Sequence, residues 1–477
     1  MRAARGWVSF QWNVIATVGV VGLMAAAIGG LMPIAFARGL PLLGSKSPVF
    51  VLLLAPVLVT FALVVSRADA GFAMVVVVAT ALISKTGMQL DVGDIRTSAL
   101  EMLVLTATFL LVARGVIVSK PPTWPSLILD RPWLMFAALT LPALLMAYVR
   151  DVTPINVLWQ LKAYFLYPCL AYLIAASVTN ERRWRFVLAV GLIAACIVGL
   201  TAILSWVQRG SAVELSDGGY SYADRAGGSF GIINQFGFYL SSMALVALGL
   251  LSGKPRGWNQ IPGLVAPILV FAMALSGSRG AWMGFLAGLA VFLVLRRPSW
   301  PVWVGALVVV GGLLYWQWPY LQSRLPNANE DAARLDYLAT GWEAFRRYPL
   351  FGAGWGASFY LDGLGRLQSA DGVLQLHDDY VNLLVQVGLV GLVAFLWIWV
   401  RVIRFAVRQI RILSSHRLAG PLAGLIAGVV ALLVEATTDH VFWRPDIAGQ
   451  IWWITGMLLA GVALLGGSQP NEAASGS

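Results

Sequence analysis

Repeated apolar runs of near membrane-spanning length constrain this chain more than any other feature. Residues 186–207 read FVLAVGLIAACIVGLTAILSWV and carry no charge. A helix of ~20 such residues crosses the roughly 30 Å of bilayer hydrocarbon. About fourteen segments approach that length. They lie at 12–37, 47–65, 70–84, 98–113, 132–149, 157–178, 186–207, 233–252, 260–275, 280–295, 301–316, 380–400, 419–436 and 447–466. Several are short, and the pair around Ser276–Gly280 can be read as one broken helix. The expected architecture is therefore all-α, a polytopic membrane bundle of about 12–14 transmembrane helices with one large extracytoplasmic loop. Composition agrees: 59% of residues are hydrophobic and 12% charged, against roughly 25% charged in a soluble domain.

The net charge of +11 follows the excess of Lys and Arg on cytoplasmic connectors and does not call for nucleic acid. Arg401, Arg404, Arg408, Arg411 and Arg417 fall in one acid-free stretch, which sets it inside. Alternation then places 181–185, Lys254/Arg256, Arg296/Arg297 and the N-terminal Arg2 and Arg5 inside as well. The loops 85–97, 150–156, 208–232, 276–279, 317–379 and 437–446 fall outside. Ala35-Phe36-Ala37 resembles a cleavage signal, but the apolar run before it exceeds the ~7–15 residues of a signal peptide, so a retained span is expected. Cys169 and Cys196 both fall in spans and imply neither a disulfide nor a metal. The expected organisation is transmembrane helices over 1–220, a second transmembrane region over 221–466 that includes the loop 317–379, and a disordered tail over 467–477.

The loop 317–379 is the longest polar interval, and its aromatic and leucine content argues against disorder. Leu335, Leu338, Trp342 and Phe345 recur at helical spacing, so this helix is expected on the membrane surface or packed on the bundle. Gly352-Ala353-Gly354-Trp355-Gly356 follows as a turn. A phosphate cradle is one reading of it, though the strand and helix around nucleotide-binding loops are missing. His377 stands at the mouth of a span. An imidazole suits proton transfer at neutral pH, and an interfacial His bonded to a loop carbonyl is the plainer alternative. Asp378 or Asp379 reads as a helix N-cap. His440, beside Asp439, is a second candidate base, while His416 lies among cytoplasmic arginines. Arg279, where a span begins, joins a guanidinium to the free N–H groups of a helix N-terminus and so suits an anion. Arg225 precedes another span on the same side. The plainer alternative for either arginine is an interfacial anchor or a salt bridge with a nearby acid. Glu101, Lys162, Arg279, Glu435 and Asp439 all border the outer side, which suggests an outward-facing polar cavity; snorkelling to the interface is the alternative. The chain has no Walker loop, and no Asp-x-Asp pair or His/Cys cluster stands out, so neither ATP hydrolysis nor metal-bound nucleotide-sugar chemistry is supported.

Three segments together resemble the O-antigen ligase and O-antigen polymerase superfamily of bacterial membrane proteins. Arg225-Ala226-Gly227-Gly228-Ser229-Phe230 with Asn234 is similar to that family's Arg–Phe–Asn approach to a span. Leu275-Ser276-Gly277-Ser278-Arg279-Gly280-Ala281-Trp282 is similar to its Ser–Arg–Gly segment. Arg334-Leu335 through Pro349-Leu350-Phe351-Gly352-Ala353-Gly354, closing with His377 and Gly388-Leu389-Val390-Gly391-Leu392, resembles its periplasmic loop. The resemblance covers roughly 220–395. An Asn-type residue often follows the His in that family, where this chain has Asp378.

The resemblance implies a glycosyltransferase that moves a glycan from an undecaprenyl-diphosphate-linked donor to a sugar hydroxyl at the extracytoplasmic face of the bacterial inner membrane, with no metal and no cofactor. Arg225, Arg279 and Arg334 would hold the diphosphate and His377 would take the acceptor proton. The acceptor would be lipid A-core in a ligase or a growing glycan in a polymerase; related protein O-oligosaccharyltransferases share the pattern. Membrane lipid and polysaccharide export or chain-length proteins are the other partners implied, and no nucleic acid. The competing class is a polysaccharide or small-molecule transporter or flippase. It would more typically place polar residues and broken helices at the midplane, often in paired repeats, and this chain shows no such repeat.

Overall fold

The computed structural model describes residues 89–92, 95–98, 101, 104, 127–209, 216–217, 220–221, 232–252, 261–297, scattered positions between 308 and 318, 328–360, 376–412, 414 and 416–466. The expected spans at 12–37, 47–65 and 70–84, most of those at 98–113 and 301–316, and the 467–477 tail lie outside these residues. Arg225 also lies outside them, whereas Tyr220 and Ser221, at the proposed boundary, are described and form one arm of a two-residue strand pair.

Helices dominate. In chain order they are α1 (Asp130–Leu139), α2 (Leu141–Val149), α3 (Pro154–Leu161), a π-helical turn (Lys162–Leu166), α4 (Pro168–Ser177), α5 (Glu181–Arg209), α6 (Ile233–Leu251), α7 (Ile261–Leu275), α8 (Arg279–Arg296), α9 (Ala328–Arg347), α10 (Asp379–Ile412), α11 (Ala419–Glu435) and α12 (Pro445–Gly466). The other regular elements are the hairpins Gln89–Val92/Ile95–Ser98 and Ser216–Asp217/Tyr220–Ser221 and a 3-10 turn at Ala357–Tyr360. Among the described residues seven helices are long and apolar enough to cross a membrane, and α11 and the Val265–Leu275 part of α7 are shorter apolar helices. The chain is an all-α polytopic membrane protein. The segment around Ser276–Gly280 is a true turn between two helices: Gly277 takes φ 58°, and the Ser278 hydroxyl caps α8 by accepting from the Ala281 amide.

Lipid tails are as apolar as leucine, so helices in a bilayer associate through close packing more than through the hydrophobic effect. The centre of this bundle is built accordingly. Helix α11 carries Gly420, Gly424 and Gly428 at four-residue spacing, on a face that meets α6. A Cβ on Gly249 of α6 would lie 2.6 Å from the Gly424 Cα. A Cβ on Gly288 of α8 would lie 2.6 Å from the Ala427 carbonyl oxygen. Side chains at these positions would separate α6, α8 and α11.

Two ends of the bundle can be told apart. At one, Glu181 at the start of α5 pairs with Arg417, just before α11, and with Arg185 at 2.6 Å. Arg296 at the end of α8 donates to the Ser252 carbonyl at the end of α6. This end gathers basic connectors that charge patterning sets on one side. At the other end the starts of α6, α8, α10 and α12 meet the end of α11, and α9 packs across the start of α10.

The first turns of α10 are separated from the rest by Gly388, whose φ of 68° and ψ of −171° interrupt the helix. An interruption leaves backbone groups without helical partners, which is tolerated at membrane depth only when protein takes them up. Segment 349–354 does so. Leu389 N donates to Pro349 O (2.9 Å) and Val390 N to Leu350 O (3.2 Å), while Ala353 N donates to Val385 O (2.7 Å) and Gly354 N to Gln386 O (3.0 Å). Gly356 N donates to the Gln386 side chain at 2.8 Å. The glycine-rich turn is thus a staple across the helix break. These amide hydrogens are committed to protein acceptors, which corrects the phosphate-cradle reading.

The surface helix also differs in detail from expectation. The face of α9 that packs on the bundle is Tyr337, Thr340, Gly341 and Ala344, against Leu376, Val381 and Val385. Its leucine and tryptophan face points outward.

Candidate active site

The start of α10, the α11–α12 turn, α6, α8 and α9 deliver polar groups to one end of the bundle. His377 lies two residues before α10. Its Nδ1 lies 3.4 Å from Asp439 Oδ1, in the turn between α11 and α12. Asp439 is buried and held from other directions: Asn234, in the first turn of α6, donates to Oδ2 at 2.9 Å, and the His440 amide donates to Oδ1 at 2.8 Å. Burial alone would push the Asp439 carboxyl up. The bond to His377, the charges of His440 and His377 and the Asn234 bond outweigh it and hold the carboxyl below the usual carboxylate range. Asp439 is therefore an anion facing His377 Nδ1. When that nitrogen carries the proton, Nε2 is left as a base.

The turn bearing Asp439 is itself fixed. Asp379, the first residue of α10, accepts from the amides of Val441 (2.6 Å) and Phe442 (2.7 Å). Its other oxygen faces His440 Nδ1 at 3.3 Å. The two imidazoles stack, with centroids 5.4 Å apart, yet their surroundings differ. The His440 side chain is 4% exposed and the His377 side chain 38%. Tyr337 of α9 also packs against His377, at 5.8 Å between ring centroids. His377 is thus the imidazole that a substrate can reach.

Arg279 is the first residue of α8. The neighbouring Gly280 packs so closely on the Asp439 turn that a Cβ there would lie 2.3 Å from Thr438 Oγ1. Arg334 lies on α9 one turn before Tyr337. The fold therefore brings Arg279 and Arg334 to the same end as His377, and Arg225 lies outside the described residues. Glu101 and Lys162 make a separate ion pair at 2.8 Å; Tyr167 also donates to Glu101, and Lys162 sits on the π-helical turn. Glu435 is buried one turn before Asp439, bonded to Ser241 of α6. The residue that sequence reasoning left without a role is Asp439. The only signals for it are its adjacency to His440 and its place among the outer-side ionisable groups.

Asp378 is the N-cap of α10, its carboxylate accepting from the amides of Tyr380 (2.8 Å) and Val381 (3.0 Å). Burial pushes its carboxyl up to about 6, against the two amides, which favour the anion. A carboxyl whose folded-state pKa exceeds the unfolded ~3.9 binds more protons folded, so the cost of its burial appears as pH rises through 4 and is complete above 6. Asp378→Asn keeps the cap acceptor and removes that cost. Melting in detergent is expected to show the variant more stable than wild type at pH 7.5, with the gap narrowing toward pH 4. A gap independent of pH contradicts this.

His377, Asp439 and His440 offer ligand atoms within 4.8 Å of one another and could hold a metal ion. Tetrahedral bonds of about 2.0–2.2 Å require the donor atoms to lie within about 3.5 Å of each other. The stacked rings and the two amide-type bonds already made to Asp439 mean that this trio would have to rearrange first.

The chain is a helical membrane bundle with a His–Asp pair at the mouths of its helices. Residues 264–396 match the family model described as O-Antigen ligase, a stretch from α7 through the first half of α10 that includes Arg279, Arg334 and His377. Over 263 residues the chain is 23% identical to the teichuronic acid biosynthesis protein TuaE of Bacillus subtilis (strain 168), covering 49% of this chain and 51% of that relative. The chain thus spans about half the length of the curated relative it matches.

Proposed function

We propose that this protein is a metal-independent membrane glycosyltransferase that moves a glycan from a polyprenyl-diphosphate donor to a sugar hydroxyl at the extracytoplasmic face. The observation that carries the reading is the half-buried, accessible His377 backed by the buried Asp439 anion, at the same end of the bundle as Arg279 on a helix N-terminus. The acceptor oxygen attacks the anomeric carbon and its proton passes to His377 Nε2. The bond from that carbon to the diphosphate oxygen breaks, and the diphosphate leaves on its lipid. Asp439 stabilises the imidazolium that forms. Arg225, Arg279 and Arg334 receive the growing charge on the leaving group, and donors already in place act most strongly in such a step. The O-antigen ligase description and the relative's role in teichuronic acid biosynthesis support a glycan as the transferred group. The acceptor is then a growing glycan or a lipid-anchored saccharide, and polysaccharide export or chain-length proteins are the expected partners.

The transporter reading draws on the interruption of α10, a feature that solute-binding helices share. Here the 349–354 staple takes up backbone groups freed by the break, which disfavours solute coordination there.

The face of action is tested by labelling intact cells with a membrane-impermeant thiol reagent, using single cysteines in a Cys169→Ala/Cys196→Ala background. Asp336→Cys on exposed α9 is expected to react from outside, and Ser414→Cys only after permeabilisation. The reverse pattern moves the site to the cytoplasm and removes the proposed donor side.

A further inference from the structure

The outward face of α9 has no protein partner among the described residues: Leu335 is 65%, Leu338 41% and Trp342 58% exposed. This is not an isolated patch. Leu350 and Phe351, just beyond α9, are exposed too. The Leu350 carbonyl is bonded to the Val390 amide. From there the exposed apolar stripe of α10 runs through Leu389, Val393, Leu396, Trp397 and Val400, along a helix long and apolar enough to span a membrane. The stripe then turns basic at Arg404, Arg408 and Arg411. An apolar path thus leads from α9 onto a lipid-facing surface. The far rim of α9 is charged: exposed Asp336 and Glu343 lie there together with Arg347, which Glu343 pairs at 3.4 Å, and Glu343 also reaches Arg346, at the edge of the apolar face, at 3.5 Å.

We propose that α9 is an interfacial helix whose Leu335–Leu338–Trp342 face beds into the lipid leaflet on the site's side of the membrane. Amphipathic helices of this kind lie in the plane of the bilayer with the apolar face sunk to the headgroup boundary, where Trp is favoured. Continuity with the stripe of α10 selects lipid over a second copy of the chain, which would have to cover both. Position around the helix gives the arrangement a use. At roughly 100° per residue, Arg334 lies about 60° from Tyr337, which packs against His377, and about 40° from Leu338, which faces lipid. Its guanidinium is then held at headgroup depth beside the base, at the level where the phosphates of a lipid-linked donor lie. This last clause rests on the proposed function; the bedding of the helix does not.

The test uses spin labels on single cysteines in the Cys169→Ala/Cys196→Ala protein, reconstituted in phosphatidylethanolamine–phosphatidylglycerol liposomes. Labels at Leu338→Cys and Trp342→Cys are expected to collide more with lipid-soluble oxygen than with a water-soluble nickel complex. Labels at Asp336→Cys and Glu343→Cys are expected to show the opposite order. Nickel-dominated collisions at Leu338 and Trp342 would overturn the proposal, and so would dipolar broadening between labels there, which assigns the face to a second copy. Neither reading needs turnover, so a bedded helix in an inactive protein and an active protein with a solvated helix are distinct results.

Discussion

His377→Ala is expected to lower turnover by about 10²–10⁴, the usual contribution of a positioned base, while donor binding stays near wild type. That factor corresponds to roughly 3–5 kcal/mol of barrier. In the proposed reaction the acceptor is an alcohol, a poor nucleophile until its proton leaves, and the arginines rather than His377 would hold the donor. His377→Gln is expected to fail as well, because it can hydrogen-bond but cannot take the proton. Asp439→Asn is expected to lower turnover too, since it removes the anion that stabilises the imidazolium. His440→Ala makes the contrast. Its imidazole is buried between Asp379 and the stacked His377 ring, so its loss is expected to lower thermal stability more than turnover per folded molecule. Steady-state kinetics of the four variants, normalised to folded protein, decide the matter. Wild-type rate in His377→Gln makes His377 structural; a dead His440→Ala with active His377 variants moves the base to His440.

Arg279→Ala is expected to reduce turnover roughly 10²–10³-fold, the scale seen when one donor to developing charge is removed. The protein should remain in the membrane at normal level. Arg279 is the first residue of α8, where its cation adds to the positive end of the helix dipole. The Ser278 cap and the close Gly280–Thr438 contact that fix this corner do not depend on the guanidinium. Arg279→Lys should rescue in part, since an ammonium keeps the charge and loses the planar fork that matches phosphate. Arg225→Ala is expected to behave likewise. Full activity in both Ala variants would remove the diphosphate assignment.

The bundle was legible because apolar length is a direct readout of bilayer thickness: 233–252, 419–436 and 447–466 on the sequence became α6, α11 and α12 with shifts of a residue or two. Arg279 and His377 stood out because single ionisable groups at span mouths are rare in so apolar a chain. Three features were not legible, for one reason: each depends on contact between distant segments. Asp439 gains its role only when Asn234, 205 residues away, and His377 fold against it. The glycine-rich turn could be seen to bend, yet its partners are carbonyls released by Gly388 of a later helix. The apolar spacing of α9 identified a helix face correctly, but spacing cannot tell whether that face meets protein or lipid. Small residues on the neighbouring face, Gly341 and Ala344, were the clue to the side that packs.

Transfer from a lipid diphosphate without metal or nucleotide is the central claim, and one reconstitution tests it. Purified protein in liposomes is supplied with a synthetic undecaprenyl-diphosphate oligosaccharide and an acceptor glycan, in the presence of EDTA. Free undecaprenyl diphosphate and the extended glycan are then measured. The account predicts equal release of both products, unchanged by EDTA, needing no nucleotide sugar and lost in His377→Gln. Product formed only with a divalent ion, which would point to the His377–Asp439–His440 trio as a metal site, or only from a nucleotide sugar, would contradict it.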